Sequence, residues 1–383
     1  MPSVWAWQDQ AAHRALRSGD LGMILRTYRR LNALSQEKLA MTLGYDKTYI
    51  SMIETGRRAV HDVASLRHIG RTLAIPAHLL GVTDPADTEF NAMVAFAESA
   101  TRLAELARSA GRVTEAINEL WPLVTRLEAR AAGGQLEQAT LSTLGKAWVS
   151  LGVCLGTVLP EERLWAATQW TAKGLTAAGH LEDEPKFLTY ASQMHGNELR
   201  KAGKAVQAVT ILQHAVDSSS SAEDIGSSLA LLARAAGQAG NGLLFAEASA
   251  SHRKLIDTHG PSGPLFNHFA WREIRLRGLL DTGDHLAALR LADDDETGPP
   301  PSPQWRVIER ITFADVLTSA GDNATAESIL MESLDLGRRH RLPHQIQRAI
   351  RIARRAHYPE LAEHADIILA QLCGETLFDQ QCA

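Results

Sequence analysis

Residues 34–58 read LSQEKLAMTLGYDKTYISMIETGRR, and their spacing decides how the N-terminal part of the chain folds. Ser35 is a good N-cap, and the apolar spacing after it carries a helix to about Leu43. Gly44 follows, where the backbone can turn left-handed without Cβ strain. Asp46 then caps a second short helix to about Thr55, and Gly56 stops it. Helices this short are marginal alone, so they must pack on each other. Leu39, Ala40, Ile50 and Ile53 supply the shared core, and the small Ala40 permits close approach. Lys47, Thr48, Tyr49, Ser51 and Met52 are left on the outer face.

Working outward, Leu21, Ile24, Leu25, Tyr28 and Leu31 share one face of a helix over about 21–32. On the other side, Val63–Leu73 reads as a helix, and Pro76 opens a short further one to Leu80. Upstream, WAWQDQAAHRALRSGD (5–20) suggests an extra helix whose Trp5 and Trp7 pack on the domain or on a partner. The polar run from Thr83 to Thr88 is the expected linker, giving an N-terminal domain over 1–82 and a larger one over 89–383.

The quoted string resembles the phage-repressor (XRE, Cro-like) helix-turn-helix family, across about 60 residues and with no insertion. In such domains the N-terminal end of the second motif helix enters the major groove of DNA. The resemblance implies a DNA-facing set of Ser35, Gln36, Lys47, Thr48, Tyr49, Met52, Thr55, Arg57 and Arg58. Within it, Gln36 would bond a phosphate, while Lys47, Thr48 and Met52 would face base edges. Tyr49, Thr55, Arg57 and Arg58 would touch the sugar-phosphate backbone. It also implies a structural ion pair, Arg29 with Glu54. Met52 departs from the family's usual polar residue; it cannot donate to guanine but could contact a thymine methyl.

Bulk properties fit this division. The 383 residues are 45% hydrophobic and 22% charged, the profile of a globular protein too long for one core. Residues 1–80 hold 11 Lys and Arg against 6 Asp and Glu, while the other 303 hold 28 against 38. A basic head on an acidic body suits a DNA reader joined to a sensing or assembly domain. No uncharged apolar run of about 18 residues suggests a membrane span, and the N-terminus has no signal-peptide pattern. Cys154, Cys373 and Cys382 suggest neither a disulfide framework nor a metal site. The expected setting is the cytoplasm, with no membrane partner and no cofactor.

From residue 89 onward the chain reads as helix after helix. Four turn glycines share a register. Gly203 is followed by Ala208 (+5), Leu212 (+9) and Ala215 (+12); Gly283 by Ala288 and Ala292; Gly321 by Ala326 and Leu330. Gly240 fits with a one-residue slip that places Ala246 at +6. The glycines are 37, 43 and 38 residues apart, which resembles degenerate tetratricopeptide repeats. Small residues at these positions let paired helices pack tightly and stack into a solenoid. The predicted fold class is therefore all-α: a five-helix helix-turn-helix domain followed by a TPR-like α-solenoid. DDDETGPPPSPQ (293–304) interrupts the helices.

In this register the residue six before each glycine faces the inner groove: Asn197, Arg234, Arg277 and Asp315. Gln193 and Glu273, ten before, belong to the same wall, as do Lys201, Gln238 and Asp281, two before. Tyr190 and Arg200 join them. Such a wall suits an extended peptide, whose amides and carboxylates Asn and Arg can satisfy. A Cro-like head joined to these repeats resembles the RRNPP regulators and actinobacterial XRE–TPR regulators. The resemblance implies quorum-sensing chemistry: a homodimer on double-stranded DNA, switched by a peptide or other small effector. The alternative is a repeat scaffold that binds a protein partner and uses the head for assembly. No GxxxxGK[ST], HExxH, GxSxG or GxGxxG motif occurs, so no enzyme is expected.

Overall fold

The computed structural model describes residues 10–82, 85–132, 138–293 and 298–374. They divide into two compact units: residues 1–102 with 121–147, and residues 103–120 with 148–383. Among the described residues every element is a helix, apart from one isolated bridge between Ser262 and Phe266.

The N-terminal domain comprises α1 (Gln10–Arg17), α2 (Leu21–Leu31), α3 (Gln36–Leu43), α4 (Lys47–Glu54) and α5 (Val63–Leu73). Each of α2 to α5 begins on a side-chain cap. Asp20 accepts from the Gly22 and Met23 amides, Ser35 from Lys38, Asp46 from Thr48 and Asp62 from Ser65. Such caps contribute about 1 kcal/mol each, which matters for helices of eight to eleven residues. Gly44 takes φ 69° and closes α3. Ile24, Leu25, Leu39, Leu43, Ile50, Ile69 and Leu73 form a fully buried centre. A Cβ on Gly22 would lie 2.6 Å from the Ile53 carbonyl oxygen, so only glycine lets α2 pass this close to the end of α4. The last element, Ala77–Leu80, is a 3-10 turn rather than an α-helix. Pro76 has no N–H to give, and Gly81 at φ 70° ends the turn after four residues. Trp5 and Trp7 lie outside the described residues.

Pro85, rather than a linker residue, begins the long helix α6 (Pro85–Ser109), so residues 85–88 are helical. Proline at a first helical position costs no hydrogen bond. Next come α7 (Val113–Ala132), α8 (Gln138–Val158) and α9 (Leu164–Ala178). Among the described residues, α8 alone is long and apolar enough to cross a membrane, but 83% of its apolar window is buried inside the protein and it carries Lys146. It is a core helix.

Five antiparallel helix pairs follow: α10 (Pro185–Lys201) with α11 (Ala205–Ser218), α12 (Ala222–Gln238) with α13 (Gly242–His259), α14 (His268–Asp281) with α15 (His285–Ala292), α16 (Pro303–Ala320) with α17 (Asn323–Arg339), and α18 (Pro343–Arg355) with α19 (Pro359–Gly374). First helices of successive pairs also pack on one another, from α10 to α12, α14, α16 and α18. This is the TPR-like solenoid arrangement. Gly203, Gly240, Gly283 and Gly321 all turn at positive φ, between 74° and 85°. Ala208, Ala288 and Ala326, each at +5, are completely buried.

The Gly240 repeat corrects one expectation. It has no register slip: Ala246 is exposed, and Phe245 at +5 is buried. The bulky ring is housed because Gly278 faces it; a Cβ there would lie 2.0 Å from Phe245. A large residue on one helix is matched by a missing side chain on the next.

Candidate nucleic-acid interface and effector cavity

On the helix-turn-helix domain, Ser35, Lys47, Thr48, Thr55, Arg57 and Arg58 are exposed, while Gln36, Tyr49 and Met52 are half-buried. The Asp46 cap fixes the first turn of α4, so Lys47 and Thr48 project from a set backbone. Tyr49 is less free than expected. Its ring stacks obliquely on Tyr45 at 5.0 Å, and the Arg58 guanidinium lies 4.7 Å from its centroid. Tyr49 is thus a shelf that holds Arg58 beside the recognition helix. Tyr45 in turn meets His68 edge-on, and His68 Nε2 is 2.9 Å from the Leu43 carbonyl oxygen, which ties α5 to the end of α3.

Glu54 is 2% exposed and sits under this surface. Arg29 Nε donates to it at 2.9 Å and Arg29 Nη2 at 3.2 Å. Gln36 Nε2 donates to the same carboxylate at 2.7 Å, and Arg26 donates to the Glu54 carbonyl oxygen. Gln36 is therefore engaged with Glu54 rather than reaching freely outward. Glu54, through its carboxylate and its main-chain carbonyl, is a knot joining α2, α3 and α4, and its bonds to Arg26 and Gln36 carried no signal in the sequence pattern. The Glu54 hydrogen bond raises the Arg29 pKa.

In the solenoid, the first helices of the pairs enclose a cavity of about 530 Å³. Tyr190, Asn197, Arg200, Lys201, Arg234 and Arg277 line it, together with Gln238, Asp281 and Asp315. Two expected wall residues do not. Gln193 is buried, donating to the Asp224 carbonyl oxygen at 3.1 Å and to Ser228 at 2.9 Å. Glu273 is 2% exposed, takes a hydrogen bond from Thr312 at 3.0 Å and sits 3.6 Å from Arg277. Ten residues before the turn is one helical turn too deep, where the side chain meets the neighbouring helix. Burial acts to raise the Glu273 carboxyl, but the charges of Arg277, Arg234 and Arg348 outweigh it and hold it low.

Hydrogen bonds fix much of this lining. Arg200 holds the Asn197 side-chain oxygen at 2.9 Å and that of Gln238 at 3.2 Å. This leaves the Asn197 amide nitrogen available to the cavity. Lys201 donates to Glu198 at 2.7 Å and to the Gly156 carbonyl oxygen at 3.1 Å. The Tyr190 hydroxyl donates to Glu105 at 3.2 Å.

A whole segment of the wall escaped the glycine register. His344, Arg348, Arg351 and Arg355 of α18 line the cavity. The turn after α18 is made by His357, at φ 61°, with no glycine to mark it. Counting back six and two residues from His357 gives Arg351 and Arg355, the same inner positions as in the other repeats.

Together these features define an all-α protein with a helix-turn-helix domain and a helical-repeat domain. Residues 20–82 match the family described as "Helix-turn-helix domain". No curated protein matches the chain. Among solved structures, the chain is similar to Bacillus thuringiensis PlcR in complex with the peptide PapR7 and DNA, at 13% identity and TM-score 0.40, over 81% of this chain and 99% of that one. It is also similar to a circular tandem repeat protein, at 15% identity and TM-score 0.21, over 95% and 93% of the two chains. A third similarity is to the TPR domain of P58(IPK), at 14% identity and TM-score 0.19, over 94% and 96%. At TM-scores this low, none of the three assigns a role to a residue of this chain.

Proposed function

We propose that the chain is a sequence-specific DNA-binding transcription regulator in which residues 1–82 read DNA and residues 89–383 sense an effector. The observation that carries it is the capped N-terminus of α4, which presents Lys47 and Thr48 to solvent beside the Arg57–Arg58 turn. Cations on this rim attract phosphates and set register, while Lys47, Thr48 and Met52 face the bases. On DNA, Gln36 exchanges part of its bond to Glu54 for a phosphate oxygen.

The cavity is the effector site in this reading. Asn197 offers an amide donor to a peptide carbonyl or a small ligand. Homodimerisation belongs to the same reading, because paired heads on half-sites one helical turn apart multiply specificity. Leu103 and Leu106, 63% and 61% exposed one turn apart on α6, are available for such a contact.

Selection from a random oligonucleotide pool tests the head. The intact chain should enrich one motif, and Lys47→Ala with Thr48→Ala should lose it while keeping weak binding to bulk DNA. No enrichment by the intact chain would remove the regulator reading and favour the scaffold alternative.

A further inference from the structure

The cavity carries a charge opposite to that of the domain that contains it. The solenoid domain is acidic as a whole, yet eight Arg and Lys side chains line the cavity against three carboxylates. Three further carboxylates, Glu105, Glu198 and Glu273, stand behind the wall on Arg108, Lys201 and Arg277. That still leaves two positive charges in excess.

The excess is localised. Arg351 is paired with Glu161, and Arg348 and Arg355 with Asp315. Arg200 is 5% exposed and holds only the neutral amides of Asn197 and Gln238. Arg234 makes no hydrogen bond or ion pair among the described residues. Arg277 Nη1 is buried with no hydrogen-bond partner, and its ion pair with Glu273 is a looser 3.6 Å contact. The guanidinium groups of Arg200, Arg234 and Arg277 are near enough to repel one another. Burial, together with that repulsion, pushes Arg200 down to about 10 and Arg234 well below its ordinary value. His344, which also lines the cavity, adds a buried Nδ1 with no hydrogen-bond partner.

Cations withdrawn from water without a carboxylate, Arg200 fully and Arg234 in part, are costly. A single carboxylate brings one negative charge. A phosphate monoester brings about two, with three acceptor oxygens suited to bidentate guanidinium contacts. Met194, Leu231, Leu265, Trp305 and Ile308 also line the cavity, apolar groups with an aromatic member.

We infer that the cavity binds a small organic phosphate monoester, with its dianionic head on Arg200, Arg234 and Arg277 and its apolar part against Trp305 and Leu265. This deepens the effector-site reading and rests on it only for the location.

Titration calorimetry of the full chain with phenyl phosphate tests the inference, with benzoate as the monoanionic control at equal ionic strength. The expected result is one saturable site for phenyl phosphate, at least tenfold tighter than for benzoate. Arg234→Gln and, separately, Arg277→Gln should each weaken it tenfold or more. Ligand-free Arg234→Gln should melt no lower than the parent chain, because it removes a repelled charge. Benzoate binding as tightly as phenyl phosphate, no saturable binding, or unchanged affinity in both folded variants would each overturn the assignment. DNA binding with and without the probe is scored separately; it bears on the regulator reading, whereas phosphate affinity alone decides the ligand class.

Discussion

Cations serve two different designs in the two parts of this protein. On the helix-turn-helix rim, Lys47, Arg57 and Arg58 stand in water, and the buried charge beneath them, Glu54, is fully partnered. In the solenoid cavity, Arg200 is buried and Arg234 half-buried, and neither has a carboxylate partner. Exposed cations act over distance, pull in any polyanion and are screened by salt. Desolvated cations act only on what enters, and they discriminate by charge and shape because mismatched burial is expensive. Under the proposed function, the rim would supply affinity for a long polymer and the cavity selectivity for a compact ligand.

Removing a buried charge should have opposite signs in the two places. Glu54→Ala leaves Arg29 and Gln36 without their acceptor and should cost about 3 kcal/mol in urea unfolding, at the low end for a broken buried pair because Arg29 is partly solvated. The parallel gain or neutrality expected for Arg234→Gln is the sharpest contrast. Equal losses from both would erase the distinction.

Protonation adds to the strain inside the solenoid. His252 on α13 is 1% exposed, and burial pushes it down to about 4. Its folded-state pKa lies below the unfolded value near 6.5, so the unfolded chain binds the extra proton first. Its stabilising contribution is present above pH 6.5 and is lost as the pH falls towards 4. Between pH 7 and 5 the loss is about 2 kcal/mol, measurable by denaturant melts at the two pH values. His252→Gln should flatten that pH difference; an undiminished slope would locate the effect elsewhere.

Salt separates the designs further. Arg57→Ala with Arg58→Ala should lower the slope of log affinity for DNA against log salt by about 2, since each phosphate contact contributes about 0.9. Phenyl phosphate binding in the cavity should respond far less steeply. The smallest effect is expected at Met52: Met52→Ala should change preference at one base pair by about 1 kcal/mol or less, in a competition assay across single-base variants.

Much of this was legible in the sequence, for identifiable reasons. The caps at Ser35 and Asp46 and the turn at Gly44 are local chemistry, so α3 and α4 were readable almost to the residue. Glycine turns with small residues at +5 revealed the repeats. Legibility failed where the structure compensates across helices. Phe245 breaks the small-residue rule because Gly278, on another helix, makes the space. His357 hides the fifth turn because a non-glycine residue takes the left-handed conformation there. Gln193 and Glu273 share the right periodicity with the wall, but depth, not phase, decides whether a side chain meets the cavity.

The Phe245–Gly278 contact has a consequence for how the solenoid can change. Repeats joined by interchangeable small residues can be duplicated, deleted or shuffled with modest loss. A ring seated in a slot cut for it works as a keyed joint: α13 fits only a neighbour that lacks a side chain at one position. A repeat copied into this point from elsewhere in the array would bring a Cβ into the ring, so growth of the solenoid is barred there. An opening that frays from the C-terminal end should pause at the same place, splitting the array into a labile outer part and a locked inner one.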